Sequence, residues 1–294
     1  LSMVTTIKNS DIAIPTGDDW ARISRIQGKY FSSSYDRSFD MYSDTPWDDK
    51  KPIAIFRGAS TGIGINTDTN PRLKLVKMSL DSKNSYLLDA KLTSWNNRPR
   101  KLINSNKLQM IDIEKTGIIV DKSNFMSPRE QCKYKYIINV DGHVSAFRLG
   151  LELSSGCCIL IVKSKYKMWF SDMLKEYIHY VPVKSDLSDL ISQIEWCRAN
   201  DEKCKNISIN ASIFAKTYLS KNGILDYLQK LFFEIKNING NYIYNTISPL
   251  SIQDNLETKI TKINNPSELV SALNSEIYND IELNLTKFLL NVYS

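Results

Sequence analysis

Apolar runs alternate with helix-like patterns over the central part of the chain. From residue 133 the order is a strand candidate, YKYIINV, a DGHV turn, a helix candidate, SAFRLGLELSSG, closed by Gly156, and a strand candidate, CCILIV. A helix candidate, YKMWFSDMLKEY, a strand candidate, IHYVPV, and a helix candidate, DLSDLISQIEWCRAN, follow. Strands that alternate with helices through short connections are typical of a parallel sheet covered by helices, so the pattern predicts an α/β fold.

The remaining elements are less regular. A short strand candidate precedes AIPTGDDWARI, in which a Pro-Thr-Gly turn leads into a helix candidate, and residues 28–51 predict a connector. PIAIF (52–56) predicts a strand that ends at RGASTGIG, and PRLKLVKMSL predicts a helix with Pro71 at its first position. Two further helices are predicted over 201–220 and 222–236, before a tail of amphipathic pieces.

The turn after YKYIINV has the features of an anion site. The carboxyl ends of parallel strands meet at one edge of the sheet, where ligands of α/β proteins bind. A helix that starts directly after Asp141-Gly142 would direct its first backbone N–H groups to that edge, where they favour an anion. Arg148 could add a bidentate guanidinium to phosphate oxygens.

The end of PIAIF repeats this combination. Arg57 and Gly58 follow the apolar run, and Ser60 and Thr61 supply hydroxyl groups. Two strand ends that each carry an arginine suit a diphosphate. The alternative is that the arginines form ion pairs with carboxylates of the protein such as Asp141 or Glu152, and spacing alone does not decide between the two.

Composition and charge narrow the classes of function. The chain is 42% hydrophobic and 24% charged over 294 residues, which is typical of a globular protein with a core. No apolar run is long enough to span a membrane. The net charge of +6 is unevenly distributed: residues 237–294 hold three lysines and six acids, so residues 1–236 carry +9. That excess suits a phosphate-bearing ligand, but the absence of a long basic run argues against nucleic acid.

Motifs for metals, dinucleotides and nucleophilic catalysis are absent from the sequence. There is no G-x-G-x-x-G, no P-loop and no Asp-x-Asp, and the two histidines, His143 and His179, have no supporting motif. The five cysteines lack the spacing of zinc sites, so we expect buried thiols. We therefore expect no metal and no cofactor.

Long motifs resemble a known family. The segments CKYKYIINVDGHVSAFRLGL and HYVPVKSDLSDL, with IPTGDDW and PIAIFRGASTG upstream, resemble the CAP10-like protein O-glucosyltransferases, the group of Rumi and the KDEL-motif-containing glucosyltransferases. The resemblance covers about residues 1–236. It implies a GT-B architecture of two Rossmann-like lobes, a UDP-sugar donor, independence of metal, and inversion at the anomeric carbon.

The resemblance also implies a domain organisation and a donor site. Residues 1–51 would be the remnant of an incomplete N-terminal, acceptor-side lobe with its connector, residues 52–236 the nucleotide-sugar-binding Rossmann-like domain, and residues 237–294 a helical tail outside the match. The arginine of the Phe-Arg-Gly segment and the turn up to the second arginine bind the diphosphate in the family. The predicted donor-site residues are Arg57, Gly58, Thr61, Gly142, His143, Val144, Ser145, Ala146, Phe147 and Arg148.

One part of the family pattern has no match. The aspartate that acts as general base lies before the Pro-Thr-Gly segment, so the catalytic residue is unassigned; either the chain is truncated or the base comes from elsewhere, with Asp18 or Asp19 as weaker candidates. We expect transfer of glucose or xylose from a UDP-sugar to a protein or glycan hydroxyl. The alternative is a catalytically inactive UDP-sugar or glycan-binding module. The family implies the secretory-pathway lumen, whereas the lack of a visible signal peptide leaves a cytoplasmic, for example viral, setting open.

Overall fold

The alternation of strands and helices is present in the computed structural model, which describes residues 1–24, 45–101 and 107–238. In these ranges the strands are β1 (Thr5–Thr6), β2 (Lys51–Ala59), β3 (Leu88–Ser94), β4 (Arg100–Lys101), β5 (Leu108–Gln109), β6 (Tyr134–Asn139), β7 (Cys158–Val162), β8 (Tyr166–Lys167) and β9 (Val181–Val183). The α-helices are α1 (Gly17–Ser24), α2 (Pro71–Ser79), α3 (Ile113–Thr116), α4 (Pro128–Gln131), α5 (Leu149–Glu152), α6 (Leu190–Ala199), α7 (Asp201–Tyr218) and α8 (Lys221–Ile238).

Five strands form one sheet in the order β3-β2-β6-β7-β9, and each neighbouring pair is parallel. The predicted α/β fold with a parallel sheet is therefore confirmed. The two-lobed architecture stays a prediction, because the described residues contain one such sheet. The inner strands β6 and β7 are buried on both faces and consist of near-continuous apolar runs, whereas the edge strand β3 alternates buried and more exposed positions.

The order of the sheet changes direction between β2 and β6. The chain passes from β2 to β3 on one side, and then returns to β6 on the other side and continues outward through β7 and β9. In open α/β sheets, ligands bind outside the carboxyl ends of the strands at such a switch point. The ends of β2 and β6 are therefore the position at which the fold itself favours a ligand.

Helices cover the face of the sheet that holds most of the core. Leu73 of α2, Ile194 of α6 and Ile207 of α7 pack with Tyr136 of β6 and Leu160 of β7 in one apolar cluster. Asn70 caps the amino end of α2, since its side chain accepts hydrogen bonds from the backbone N–H groups of the first turn. The cap and the expected Pro71 at the first position begin α2 directly after the loop that follows β2.

Two predicted helices are wrong. The stretch 145–156 contains only the single turn α5, because the side chain of Glu152 is held by tertiary contacts with Asn139 and Arg148 while the residues before Leu149 form a turn. The stretch 166–177 contains β8 and a 3-10 turn (Ser171–Met173), because Tyr166–Lys167 pairs with β1 instead. In both places tertiary contacts outweigh the local helical pattern.

The strand predicted over 52–56 also differs in length. β2 continues through Ala59, so that Arg57 and Gly58 belong to the strand itself and pair in register with Lys91 and Leu92 of β3. The expected end of the strand at Phe56 was therefore wrong. The pairing extends because β3 offers continuous backbone partners on that side, and the register shifts only between Gly58 and Ala59.

Residues 1–24 pack against the segment that follows β7. β1 pairs with β8, and the Tyr227 hydroxyl donates a 2.6 Å hydrogen bond to the backbone oxygen of Ala13. These contacts lie in one compact unit, Leu1–Gln229; a second unit is Lys230–Ser294. The predicted division at residues 51 and 236 stays a prediction, and most of the predicted connector and tail lie outside the described residues. Among the described helices, each is too short or too polar to cross a membrane.

Candidate functional site

The switch point is built around the ring of Phe56. Two guanidinium groups lie over this ring, Arg72 at 5.5 Å and Arg148 at 5.2 Å from its centroid. Gly58 lies beside them: a Cβ atom there would be 3.4 Å from an Nη1 atom of either arginine and 3.0 Å from the Phe56 ring. The end of β2 therefore depends on a residue without a side chain, because the guanidinium groups already fill the space.

Arg57 is buried and bound to Asp89 of β3. Its Nη1 donates to the backbone oxygen of Asp89 at 2.6 Å and to that of Phe56 at 2.9 Å, while its Nη2 contacts Asp89 Oδ2 at 2.6 Å. The ion pair compensates the charge of Arg57 within the protein. This is the alternative that the spacing left open, with Asp89 as a partner that the sequence did not single out.

Arg148 joins the loop after β6 to the end of β2. Its Nη1 donates to the backbone oxygen of Arg57, and its Nε lies 2.8 Å from Glu152 Oε1. The second contact is an ion pair without hydrogen-bond geometry, because both atoms lack a hydrogen-bond partner in the described part of the chain. The other oxygen of Glu152 accepts a 2.6 Å hydrogen bond from Asn139. The Nε atom is buried against Glu152, but the Arg148 side chain keeps 23% of its surface exposed, and this exposed part remains able to meet a ligand.

Arg72 is the residue of the switch point that the sequence did not reveal. From the first turn of α2, its Nε, Nη1 and Nη2 donate to the backbone oxygens of Asp141, Ala59 and Val140 at 2.9–3.0 Å. The Arg72 side chain thus connects the end of β2 to the end of β6 through hydrogen bonds. Burial, followed by the positive charge of Arg148, lowers the pKa of Arg72 to about 9, so the group stays charged at neutral pH.

The turn after β6 closes against the loop after β2. A Cβ atom on Gly142 would be 2.7 Å from Thr61 Oγ1 and 3.3 Å from Arg72 Nη2. His143 follows, and its buried Nε2 has no hydrogen-bond partner among the described residues. Burial and then the positive charges of Arg100, Arg98 and Arg72 lower the pKa of His143. The switch point is therefore electropositive, with a polar atom that lacks a partner.

Eight of the ten predicted site residues fall into two places. Six of them lie at the switch point: Arg57, Gly58, Thr61, Gly142, His143 and Arg148. Ser145 and Ala146 line a neighbouring cavity, Val144 is exposed, and Phe147 is half-buried. The sequence contains little that would predict Arg72 at the switch point, since it shows only an arginine in the first turn of a helix.

The cavity lies along the carboxyl ends of β6, β7 and β9. It encloses about 340 Å³, the size range of small-ligand pockets. Its wall includes Asn139, Ser145, Lys163 and Asp189, so carboxylate, hydroxyl, amide and ammonium groups face one space. A nucleoside has the size and the polar edges to fill such a space.

Asp141 lies at the boundary between the cavity and the switch point. It lines the cavity, and its Oδ2 accepts a hydrogen bond from Ser164. Burial raises the pKa of Asp141, although the hydrogen bond from Ser164 and the charges of Arg72 and Lys165 act in the opposite direction. A negative charge at this position is therefore less stable than it would be in water.

Asp19, one of the candidates for the general base, is held by its neighbours. Its Oδ2 accepts hydrogen bonds from the backbone and hydroxyl of Thr16 at 3.0 and 2.9 Å, and from Trp169 Nε1 at 3.0 Å. This buried carboxylate joins α1 to the segment that lines the cavity. Burial and the adjacent Asp19 raise the pKa of Asp18, which is half-buried.

A family model described as Glycosyl transferase family 90 matches residues 2–239. The chain belongs to this family. The resemblance to the protein O-glucosyltransferases is thereby confirmed, and it covers the sheet, the switch point and the cavity of this family 90 chain.

The chain is also similar to individual proteins and to solved structures. The chain is 48% identical over 88% of its length to "Uncharacterized protein 179R" of Invertebrate iridescent virus 6, covering 24% of that protein. It is 31% identical over 76% of its length to Protein O-glucosyltransferase 2 of Danio rerio, covering 39% of that protein. It therefore spans only part of these relatives. Anabaena Alr3699/HepE in complex with UDP-glucose aligns with a TM-score of 0.40 at 9% identity, over 68% of this chain and 55% of that one.

Proposed function

We propose that the chain binds a UDP-sugar and transfers the sugar, glucose or xylose, to a hydroxyl of a protein or glycan, with inversion and without a catalytic metal. Membership of glycosyl transferase family 90 supports the class of reaction. Relatives named protein O-glucosyltransferases support glucose as the sugar and a protein as the acceptor. Because the chain spans under two-fifths of the first relatives, the activity is a proposal for this chain.

The observation that carries the proposal is the electropositive switch point. Arg72 and Arg148 lie over one ring at the ends of β2 and β6, and the only carboxylate in an ion pair with either of them is Glu152 in the described part of the chain. A diphosphate there would accept hydrogen bonds from Arg148 and from His143 Nε2, if the imidazole carries its proton on that nitrogen. The adjoining cavity would hold the nucleoside.

This arrangement suits departure of a nucleoside diphosphate. Negative charge grows on the diphosphate as its bond to the sugar breaks, and fixed cationic donors stabilise that charge most strongly when water is excluded. In this proposal, Arg148 and the backbone of the turn at Gly142 supply these donors. Proton removal from the acceptor hydroxyl requires a base. The Asp19 carboxylate already accepts three hydrogen bonds, so we do not assign it that role.

UDP binding to the 294-residue chain tests the donor site by calorimetry. Arg148→Ala is expected to weaken UDP binding about 10- to 100-fold, since a hydrogen bond to a charged group contributes about 1.5–3 kcal/mol. The matched control is Lys115→Ala, which removes an exposed cation whose partner, Asp112, is three residues away in sequence. Thermal unfolding of each variant separates a loss of binding from a loss of fold. Equal affinities of Arg148→Ala and the wild type would exclude the switch point as the diphosphate site.

Transfer distinguishes the enzyme from an inactive binding module. We expect release of UDP from UDP-glucose to rise when a protein acceptor is added, and to stay unchanged when EDTA and then Mg²⁺ are supplied. Binding of UDP without release in any acceptor mixture would favour the alternative, a catalytically inactive UDP-sugar or glycan-binding module. That alternative is supported by the three hydrogen bonds that Asp19 Oδ2 already accepts. Absence of UDP binding would contradict the transferase and a UDP-sugar-binding module, and would leave a glycan-binding module.

A further inference from the structure

Three buried cysteines lie close together near the amino end of β7, away from the switch point. Cys158 lies at the start of β7, Cys197 near the end of α6, and Cys204 in the second turn of α7. Their sulfur atoms all lie within 4.8 Å of one another, and each residue is fully buried. Positions 158, 197 and 204 share no spacing typical of zinc sites, so only the tertiary structure brings the thiols together.

A fourth polar atom points to the same place. Tyr136 of β6 is the partner of Cys158 in the parallel ladder between β6 and β7, so the two side chains lie on the same face of the sheet. The Tyr136 hydroxyl is fully buried and has no hydrogen-bond partner in the described part of the chain. Among the groups that act electrostatically on it are the thiols of Cys204, Cys197 and Cys158. A buried hydroxyl without a partner is costly, and a ligand at the cluster would satisfy it.

The geometry points to a metal site: we propose that Cys158, Cys197 and Cys204 bind one thiophilic cation, Zn²⁺, with the Tyr136 hydroxyl at the fourth position. Zn–S bonds of about 2.3 Å place the sulfurs of a tetrahedral site about 3.8 Å apart. The thiols therefore need to close by no more than about 1 Å, a shift that side-chain torsions accommodate. Soft thiolate ligands select zinc or copper(I) over magnesium and calcium.

A bound thiolate complex would carry one net negative charge, since three thiolates meet one Zn²⁺. Of the two charged groups that act on Cys204, Asp201 opposes a negative charge there and Lys135 favours it. Lys135 is itself fixed by a 2.8 Å ion pair with Asp201, at the start of α7. Binding would release the thiol protons to solvent, so affinity is expected to fall as the pH is lowered.

The proposed ion would have a structural role. It would join the inner strand β7 to the connection between α6 and α7, about 40 residues further along the chain. It would be acquired during folding because the cluster is closed to solvent. It takes no part in sugar transfer, so its test is independent of the proposed function. The sequence-based expectation of no metal rested on the absence of Asp-x-Asp and of zinc spacing and on the family resemblance, none of which detects ligands from three separate elements.

The test uses Co²⁺ as a spectroscopic probe for Zn²⁺. The 294-residue chain is unfolded with a reductant and refolded with increasing Co²⁺ in the absence of oxygen. We expect a thiolate-to-cobalt charge-transfer band that saturates at one equivalent and disappears when Zn²⁺ is added. Cys204→Ser should weaken Co²⁺ binding at least about tenfold, since loss of even an outer partner of a metal site costs 10–100-fold.

Two variants make the test specific. Cys132→Ser is the matched control, because Cys132 is an equally buried thiol that lies outside the cluster, and it should bind Co²⁺ like the wild type. Tyr136→Phe keeps the shape of the core and should change the cobalt spectrum, and an unchanged spectrum would overturn its place as fourth ligand. If Cys204→Ser fails to fold, the comparison of wild type with Tyr136→Phe still locates the ion. If the wild-type chain shows no charge-transfer band, and elemental analysis finds no more zinc than in the buffer, the metal site is overturned. The cluster would then consist of three thiols that only pack against one another.

Discussion

Replacement of Arg72 by methionine tests whether one side chain holds the switch point together. The guanidinium donates three hydrogen bonds of 2.9–3.0 Å to the backbone oxygens of Ala59, Val140 and Asp141. Methionine keeps most of the length of the side chain and its contact with Phe56, but it offers no donor. The change therefore isolates the hydrogen bonds from the packing.

The magnitude follows from the number of carbonyl groups that lose their donor. A buried acceptor without a partner costs about 1–3 kcal/mol. Removal of a buried charge acts in the opposite direction, because burial is the main reason that the pKa of Arg72 lies at about 9. We therefore take the low end of the range for each of the three carbonyls and expect a loss of about 2–3 kcal/mol in the free energy of unfolding.

Urea unfolding, followed by far-ultraviolet circular dichroism at neutral pH, measures this loss. Arg72→Lys should recover only part of the stability, because an ammonium group cannot reach three carbonyls with the geometry of a planar guanidinium. The control is Arg98→Met, which removes an exposed arginine and should change stability by under about 0.5 kcal/mol. A loss below about 1 kcal/mol for Arg72→Met, or full recovery by lysine, would refute the three-carbonyl argument.

Three other changes give independent tests. Gly142→Ala places a Cβ atom 2.7 Å from Thr61 Oγ1, so we expect UDP affinity to fall at least about tenfold by calorimetry, and unchanged affinity would show that the turn has room to move. Because the pKa of Asp141 is raised, ionisation of this group lowers the free energy of unfolding as the pH rises above 3.8. Asp141→Asn should therefore raise the urea midpoint at pH 7 but leave it unchanged at pH 3. A higher midpoint at pH 3 only would contradict burial as the cause. Asp19→Ala leaves Trp169 Nε1 and Thr16 without the carboxylate that accepts their hydrogen bonds. Thermal unfolding should show a loss of about 2–4 kcal/mol in the free energy of unfolding, and an unchanged stability would make Asp19 a candidate for the catalytic base again.

The sequence determined the class of fold and the edge of the sheet at which a ligand is predicted. Alternating apolar runs and helical patterns predicted the strands β6 and β7 and the helices α2, α6, α7 and α8, because periodicity and capping are local properties that act whatever the rest of the chain does. The same local pattern predicted a glycine and an arginine close to the carboxyl ends of both strands; in the structure Arg57 and Gly58 are in the last residues of β2, and Gly142 and Arg148 follow β6. Since parallel strands end at one edge, these residues had to lie near one another.

Only the tertiary structure decided which groups meet and how their charges are compensated. The partner of Arg57 is Asp89, 32 residues away on β3. The side chain whose hydrogen bonds connect the ends of β2 and β6 is Arg72 of α2. Pairing of β8 with β1 removed a helix that the local pattern favoured. The cluster of Cys158, Cys197 and Cys204 likewise has no local signature. Such contacts join residues that are distant in sequence, and their energies depend on burial and geometry that exist only when the sheet and its helices have packed together.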